Sequence, residues 1–124
     1  MRTIAGQALY AAVFLSATLT TASAFAHAHL LQQIPAADST VSVSPQALTL
    51  TFSEGIETSF SGVALSGPQN TPIATGKLAR SDNNKTQLTL PLRDPLAAGD
   101  YTVEWHVVSV DGHKTKGQYH FSVK

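Results

Sequence analysis

The chain has 124 residues, and its eight Lys and Arg residues are balanced by eight Asp and Glu residues, so its formal net charge is zero. This balance excludes the strongly basic surface with which proteins bind nucleic acids or anionic membranes. There is no cysteine, and the one methionine is Met1. The rest of the chain therefore offers a metal ion only nitrogen and oxygen donors, with no sulfur ligand to select Cu(I).

Residues 1–26 predict a cleavable secretion signal. Arg2 gives a short positive start, and it is followed by an apolar run from Ala8 to Leu19. That run has the length of a signal peptide and is too short to span a bilayer as a stable anchor. We therefore expect export and no stable membrane insertion after cleavage.

The cleavage site decides which residue becomes the new terminus. The triplet Ala24-Phe25-Ala26 places small residues at the last and third-last positions, which favours cleavage before His27. Two other frames would leave Phe25 or His29 first. With the favoured cut, residues 27–124 form one small exported domain of about 98 residues.

The first part of this domain mixes turn residues with short strands. QQIPAADSTVSVSPQ is rich in turn residues and predicts a connection. It leads to an alternating strand in which Leu48, Leu50 and Phe52 share one face. FSGVALSGP contains a second short strand, whereas QNTPIATGKLARSDNNKT predicts a poorly packed connection or an edge strand.

The second part contains the strongest strand patterns. KTQLTLPL alternates through Leu88 and Leu90. DYTVEWHVVSV is the longest strand pattern, and its large apolar residues share one face: Tyr101, Val103, Trp105 and Val107. DGHKTKG predicts a polar turn that includes Gly117, and QYHFSVK predicts a final strand. Short strands separated by turns predict an all-β, single-domain Greek-key antiparallel sandwich or small barrel.

An N-terminal histidine has a chelating chemistry that an internal histidine lacks. The α-amine and the imidazole of His27 could close one chelate ring on a metal ion. An α-amine has an ordinary pKa of about 8, low enough to yield its proton to a strong Lewis acid near neutrality. Cu(II) prefers tetragonal nitrogen and oxygen donors and ranks highest in the divalent series, so His27 favours Cu(II).

The triplet Asp111-Gly112-His113 could supply two further donors. A single glycine separates the carboxylate from the imidazole, so both can turn toward one point. The alternative is an ordinary hairpin turn, in which Asp111 bonds its own backbone and His113 is solvated. The interpretation of the triplet as part of a metal site is favoured because a second donor group is predicted at His27.

Other donors leave alternatives open. Glu54 follows a strand and could be a weak ligand, an acceptor that orients an imidazole, or a solvated carboxylate. His29 supports a rival site, because a free amine, two deprotonated amides and a third-residue imidazole can wrap Cu(II) or Ni(II). It could instead begin the first strand. His106 and His120 face away from the large apolar residues and are predicted to be surface or cross-strand pairing residues.

Three stretches together resemble one family. The terminus HAHLLQQIPAADSTV, the strand LTLTFSEGIE and the block AGDYTVEWHVVSVDGHKTKGQYHFSV are similar to the CopC family of periplasmic copper-binding proteins. The resemblance covers nearly all of the predicted mature chain. It implies a Greek-key β-sandwich of the immunoglobulin-like or cupredoxin-like kind, with seven or a similar number of strands.

The resemblance also implies a site and a role. One Cu(II) per chain would be held by the amine and imidazole of His27 with Asp111 and His113, and some members add the glutamate that corresponds to Glu54. His29 would be a neighbour. The best-known members bind Cu(I) in a methionine-rich loop, and the corresponding SGPQNTPIATGKLARSDNNK has no methionine, so the Cu(I) site should be missing.

We therefore expect a non-catalytic exported Cu(II) protein that serves copper sequestration, delivery or resistance. Its partner would be a CopD-type inner-membrane copper transporter, as the resemblance implies. One alternative is a copper monooxygenase acting on polysaccharide, because such enzymes also use an N-terminal histidine on a β-sandwich. Another is a sandwich that binds proteins and holds no metal.

Overall fold

The computed structural model describes residues 27–124, so the predicted signal segment lies outside the described residues. Two four-stranded sheets pack face to face, with strand orders β1-β3-β6-β5 and β2-β8-β7-β4. The strands are β1 Leu30–Ile34, β2 Thr40–Val41, β3 Ala47–Phe52, β4 Gly62–Ser66, β5 Ala79–Arg80, β6 Gln87–Pro91, β7 Gly99–Val108 and β8 Lys114–Val123. Two short 3-10 turns lie at Thr58–Phe60 and Pro68–Asn70.

The core lies between the sheets, and strand alternation supplies its residues. β3 alternates buried and half-buried positions along its length, and β6 does the same over its first four residues. Burying one face of each sheet removes apolar area from water, which is the main stabilising contribution in a domain of this size. The largest fully buried apolar side chains are Phe52, Phe121, Leu48, Leu50, Ile56, Leu88, Val103 and Val107.

The predicted all-β sandwich is confirmed. Among residues 27–124, six strand pairs connect the elements, and all are antiparallel except that of β2 with β8. The segment predicted as a loose connection or an edge strand contains β5, which lies at the edge of its sheet. Within residues 27–124, no helix is long and apolar enough to cross a membrane.

The connection predicted after the histidines is wrong at its beginning, where the structure has β1. The sequence LLQQI does not alternate, and its burial pattern is irregular as well. A register shift between Leu30 and Gln32 explains both, because a bulge breaks the two-residue period. β1 is also an edge strand, so it needs fewer apolar residues than a central strand.

The turn predicted through Gly117 is also wrong, because β8 already begins at Lys114. Gly117 lies opposite Trp105 in the β7–β8 ladder. A Cβ at Gly117 would lie 2.6 Å from Cζ2 of Trp105. The glycine therefore makes room for the indole, which packs edge-on against Phe52 at a centroid distance of 5.1 Å.

We expect Gly117→Ala to destabilise the domain. Alanine would restrict the unfolded chain and so stabilise by about 0.4–1 kcal/mol, but the overpacking against Trp105 costs about 1–3 kcal/mol. The net loss should be about 1 kcal/mol or more, measured by urea unfolding. Because Trp105 is the one tryptophan, its fluorescence should also change in the folded variant.

Gln118→Ala is the matched control, since Gln118 is the next residue of β8 and is exposed. Its free energy of unfolding should stay within about 0.5 kcal/mol of the original value. A Gly117→Ala protein as stable as the original would show that Gly117 is not needed for the packing of Trp105.

Candidate metal centre

The turn between β7 and β8 brings Asp111 and His113 together. The N–H of Ser109 donates to the carbonyl of His113 at 2.9 Å, and the N–H of Gly112 donates to the carbonyl of Ser109 at 2.8 Å. Gly112 has φ +92°, in the left-handed region that favours glycine. The glycine between the two donors therefore lets the chain reverse tightly enough for them to meet.

Ser109 is the buried support of this turn. Its side chain is fully buried, its hydroxyl donates to Oδ1 of Asp111, and its Oγ accepts the N–H of His113 at 3.2 Å. Nδ1 of His113 lies 3.1 Å from the same carboxylate oxygen. The hydrogen bond from Ser109, and then that from His113, hold the pKa of Asp111 below its ordinary value.

The start of the domain is fixed beside this turn. Ala28 is 2% exposed and belongs to the core, and its carbonyl accepts the hydroxyl of Thr115 at 3.1 Å. The N–H of His29 donates to Oγ of Ser53 at 2.8 Å, and the N–H of Ser53 donates to the carbonyl of His29 at 2.8 Å. The backbone that follows His27 is therefore held between β8 of one sheet and the residue after β3 of the other.

The two histidines predicted from distant parts of the chain are brought together. The ring centroids of His27 and His113 are 5.2 Å apart, with 30° between the ring planes. The side chains of His113 and Asp111 are 46% and 40% exposed, and His27 is exposed as well. Two imidazoles and one carboxylate thus form a cluster that an ion can reach from solvent.

The two other candidate ligands are Glu54 and His29. Glu54 is half-buried, and within residues 27–124 no hydrogen bond or ion pair joins it to His27, Asp111 or His113. The side chain of His29 is exposed, and its backbone pairs with Ser53. Neither Glu54, which follows β3, nor the side chain of His29 is therefore linked to the cluster by a hydrogen bond or ion pair within residues 27–124.

The histidines predicted to lie on the surface do so. His106 and His120 are both exposed. His120 makes the expected cross-strand pair, with its Nδ1 3.0 Å from Oγ1 of Thr102. The ring of His106 packs over Gly62 of the neighbouring strand, where a Cβ would lie 2.5 Å from its Cε1.

Three supporting residues were missed by sequence reasoning, namely Ser109, Ser53 and Thr115. A signal existed for Ser109, because it continues the inward row of Trp105 and Val107 on β7 and is polar. A polar residue on an apolar face needs a buried partner. The other two bind backbone atoms of Ala28 and His29, and no sequence pattern predicts such pairs.

The cluster is not a closed metal cage. Within the described part of the chain, no three His, Cys, Asp or Glu side chains are arranged as a metal-binding group. Asp111 already bonds Ser109 and His113, so a metal ion would have to take its other oxygen or displace His113. A further donor is required, and the α-amine that cleavage before His27 would create has the chemistry to supply it.

Comparisons with known proteins agree on one family. The model of the CopC domain matches residues 30–124. Protein YobA of Escherichia coli (strain K12) is 56% identical over 115 residues, which are 93% of each chain. Copper resistance protein C of Escherichia coli is 39% identical over 110 residues, which are 82% of this chain and 85% of that protein.

A solved structure shares the fold. The crystal structure of PcoC, a methionine-rich copper resistance protein from Escherichia coli, matches with a TM-score of 0.73 and 36% identity. The match covers 80% of this chain and 100% of that chain. The present chain differs in having Met1 as its one methionine, and the family-model match begins after His27.

Replacing Ser109 by alanine should raise the pKa of Asp111 toward its ordinary value, because the hydroxyl that stabilises the carboxylate is lost. In the original protein the lowered pKa means that Asp111 stabilises the fold above the ordinary pKa range of aspartate. That contribution is lost as the pH falls through the lowered pKa. In Ser109→Ala the carboxylate should take up its proton at higher pH, as seen by NMR titration of the carboxyl carbon, and its pH-dependent contribution to stability should be smaller.

Ser122→Ala provides the control. The hydroxyl of Ser122 donates to Oδ1 of Asp100 at 2.6 Å, so it makes a similar serine–aspartate bond at the other end of β7. This variant should leave the titration of Asp111 unchanged. An unchanged titration in Ser109→Ala would show that Ser109 does not control the carboxylate.

Proposed function

Because the chain belongs to the CopC family, we propose that it is an exported, non-catalytic protein that binds one Cu(II) ion per chain. The signal at residues 1–26 would direct it to the periplasm, and residues 27–124 would form the copper-binding domain. Copper resistance proteins among its relatives support the copper-related function. Copper is the cargo here, held for sequestration or delivery.

The observation that carries the proposal is the contact between His27 and His113. These residues come from opposite ends of the domain, and their rings are 5.2 Å apart. Asp111 adds an anionic oxygen beside His113. With the amine of His27, the donors would be three nitrogens and one oxygen, which matches the tetragonal preference of Cu(II).

The donor groups differ in whether a proton must leave before they bind copper and in which atom is available. The lowered pKa of Asp111 keeps its carboxylate ionised, so no proton has to leave it near neutrality. Nδ1 of His113 faces Asp111, which leaves Nε2 as the ring nitrogen available to a metal while the contact persists. We propose that Glu54 and His29 do not bind the ion directly.

A filled tetragonal plane favours binding over oxygen chemistry. The copper monooxygenase alternative needs open positions on the metal, and a carboxylate bound beside His113 would occupy one of them. We therefore propose no enzymatic activity. For delivery, the partner we propose is a CopD-type inner-membrane copper transporter, on the strength of the family resemblance alone.

A competitive Cu(II) titration, with electron paramagnetic resonance at saturation, tests the site. Mature protein beginning at His27 should bind one equivalent tightly. One extra glycine before His27 should lower the affinity about 100-fold or more, because it moves the amine out of the chelate ring. His113→Ala should lower it by at least about 10-fold, the equivalent of about 1.4 kcal/mol.

His120→Ala is the matched control, since His120 is exposed and lies on the same hairpin away from the turn. It should bind copper like the original protein. If the glycine extension and His113→Ala both left the affinity unchanged, this site would be wrong. Weak binding by every form would instead favour a sandwich that binds proteins and holds no metal.

Acid should release the copper in a way that identifies the donors. Protons compete with Cu(II) for imidazole and amine nitrogens from near neutrality downward. Asp111, with its lowered pKa, should stay ionised through that range. Affinity measured against a chelator of known pH dependence should therefore begin to fall near or somewhat below neutrality, and an affinity that stayed constant down to the carboxylate range would exclude both histidines.

A further inference from the structure

We propose that the fold prevents the terminal His27-Ala28-His29 from wrapping a metal ion through its backbone amides, and that Ser53 determines this selectivity. The consequence is rejection of Ni(II), which a free peptide of the same sequence would bind. The inference rests on the proposed function in one respect, namely that the mature chain begins at His27.

The wrapped complex makes specific demands on the terminal segment. The metal would bind the amine of His27, the amide nitrogens of Ala28 and His29, and the imidazole of His29. Two amide N–H bonds break, both protons pass to solvent, two nitrogen–metal bonds form, and the metal keeps its oxidation state. All four nitrogens must lie in one plane around the ion, so the three residues must curl around it.

Ala28 is held in a way that opposes such curling. Its side chain is 2% exposed and packs in the core. Its carbonyl accepts the hydroxyl of Thr115 on β8 at 3.1 Å. Wrapping a metal would pull the methyl group into water and break this bond, and both changes oppose the complex.

His29 is held by Ser53 at the end of β3. Its N–H, the group that would have to lose its proton, donates to Oγ of Ser53 at 2.8 Å. Its carbonyl accepts the N–H of Ser53, also at 2.8 Å. The amide nitrogen of His29 therefore faces the hydroxyl of Ser53, which directly follows β3, while the carbonyl of Ala28 faces Thr115 of β8.

In the folded protein, these contacts favour a metal site that uses the imidazole of His27 and not the backbone amide nitrogens. The imidazole of His27 faces His113, whereas a wrapped complex would use the imidazole of His29 in its place. Ni(II) binds nitrogen and oxygen donors more weakly than Cu(II) does. Without the amide nitrogens as ligands, its affinity for this terminus should fall strongly. Selectivity then follows from the hydrogen bonds of the terminal segment.

The test is a Ni(II) titration followed by visible absorption and circular dichroism, which detect the planar four-nitrogen complex. The peptide His-Ala-His-Leu-Leu-Gln should form this complex, and so should the mature protein in urea. The folded mature protein should bind Ni(II) about 100-fold more weakly than the peptide, the change expected from three hydrogen bonds of ordinary strength.

Variants then identify the residue responsible. Ser53→Ala should recover about 10-fold in Ni(II) affinity, and adding Thr115→Val should recover more. Hydrogen exchange at the His29 amide should be slow in the original protein and fast in Ser53→Ala. Ser122→Ala, which removes a serine hydroxyl far from the terminus, should change neither readout.

Two outcomes would overturn the inference. If the folded original protein bound Ni(II) as tightly as the peptide and with the same spectrum, the fold would not prevent wrapping. If the original protein rejected Ni(II) but Ser53→Ala did so equally, Ser53 would not be the determinant. Failure of the copper site is separable, because it would appear as Cu(II) binding unaffected by His113→Ala, whatever the Ni(II) result.

Discussion

The burial of Ala28 is the constraint on which the candidate site depends. Chain termini are usually mobile, but cleavage before His27 would leave a terminus whose second residue already lies in the core, where it is 2% exposed. Hydrogen bonds from Thr115 and with Ser53 hold the carbonyl of Ala28 and the backbone of His29. Because Ala28 is fixed, the neighbouring His27 lies close to His113, with 5.2 Å between the ring centroids.

The second half of the site depends on the β7–β8 hairpin, whose ladder pairs ten residues of each strand. Its inward row runs through Trp105 and Val107 to Ser109, where the core ends and the turn begins. Ser109 is buried like its apolar neighbours, and its hydroxyl serves Asp111 and His113. The position of the Asp111 carboxylate therefore depends on core packing, since a shift of β7 would move Ser109, which is hydrogen-bonded to it.

Strand alternation predicted the central strands well, because β3, β6, β7 and the end of β8 each bury one face. It failed where packing departs from alternation, at the bulged edge strand β1 and at Gly117, which is glycine because of Trp105 and not because of a turn. The residue types at His27, Asp111 and His113 indicated metal chemistry. The single glycine between Asp111 and His113 predicted that these two lie close, but the closeness of His27 to them could not be predicted from local pattern, because it depends on tertiary contacts of Ala28, Ser53 and Thr115.

The hydrogen bonds within the site also favour cargo over structural metal. Structural metal sites commonly supply the free energy of folding, so their ligands have no fixed arrangement without the ion. Here Ser109 and the backbone already fix the turn, and the core already fixes Ala28. A Cu(II) ion at His27 and His113 would stabilise the folded state by mass action, but the fold does not require the ion, so its release would leave the domain folded. This independence of fold and metal suits the proposed role in copper sequestration or delivery.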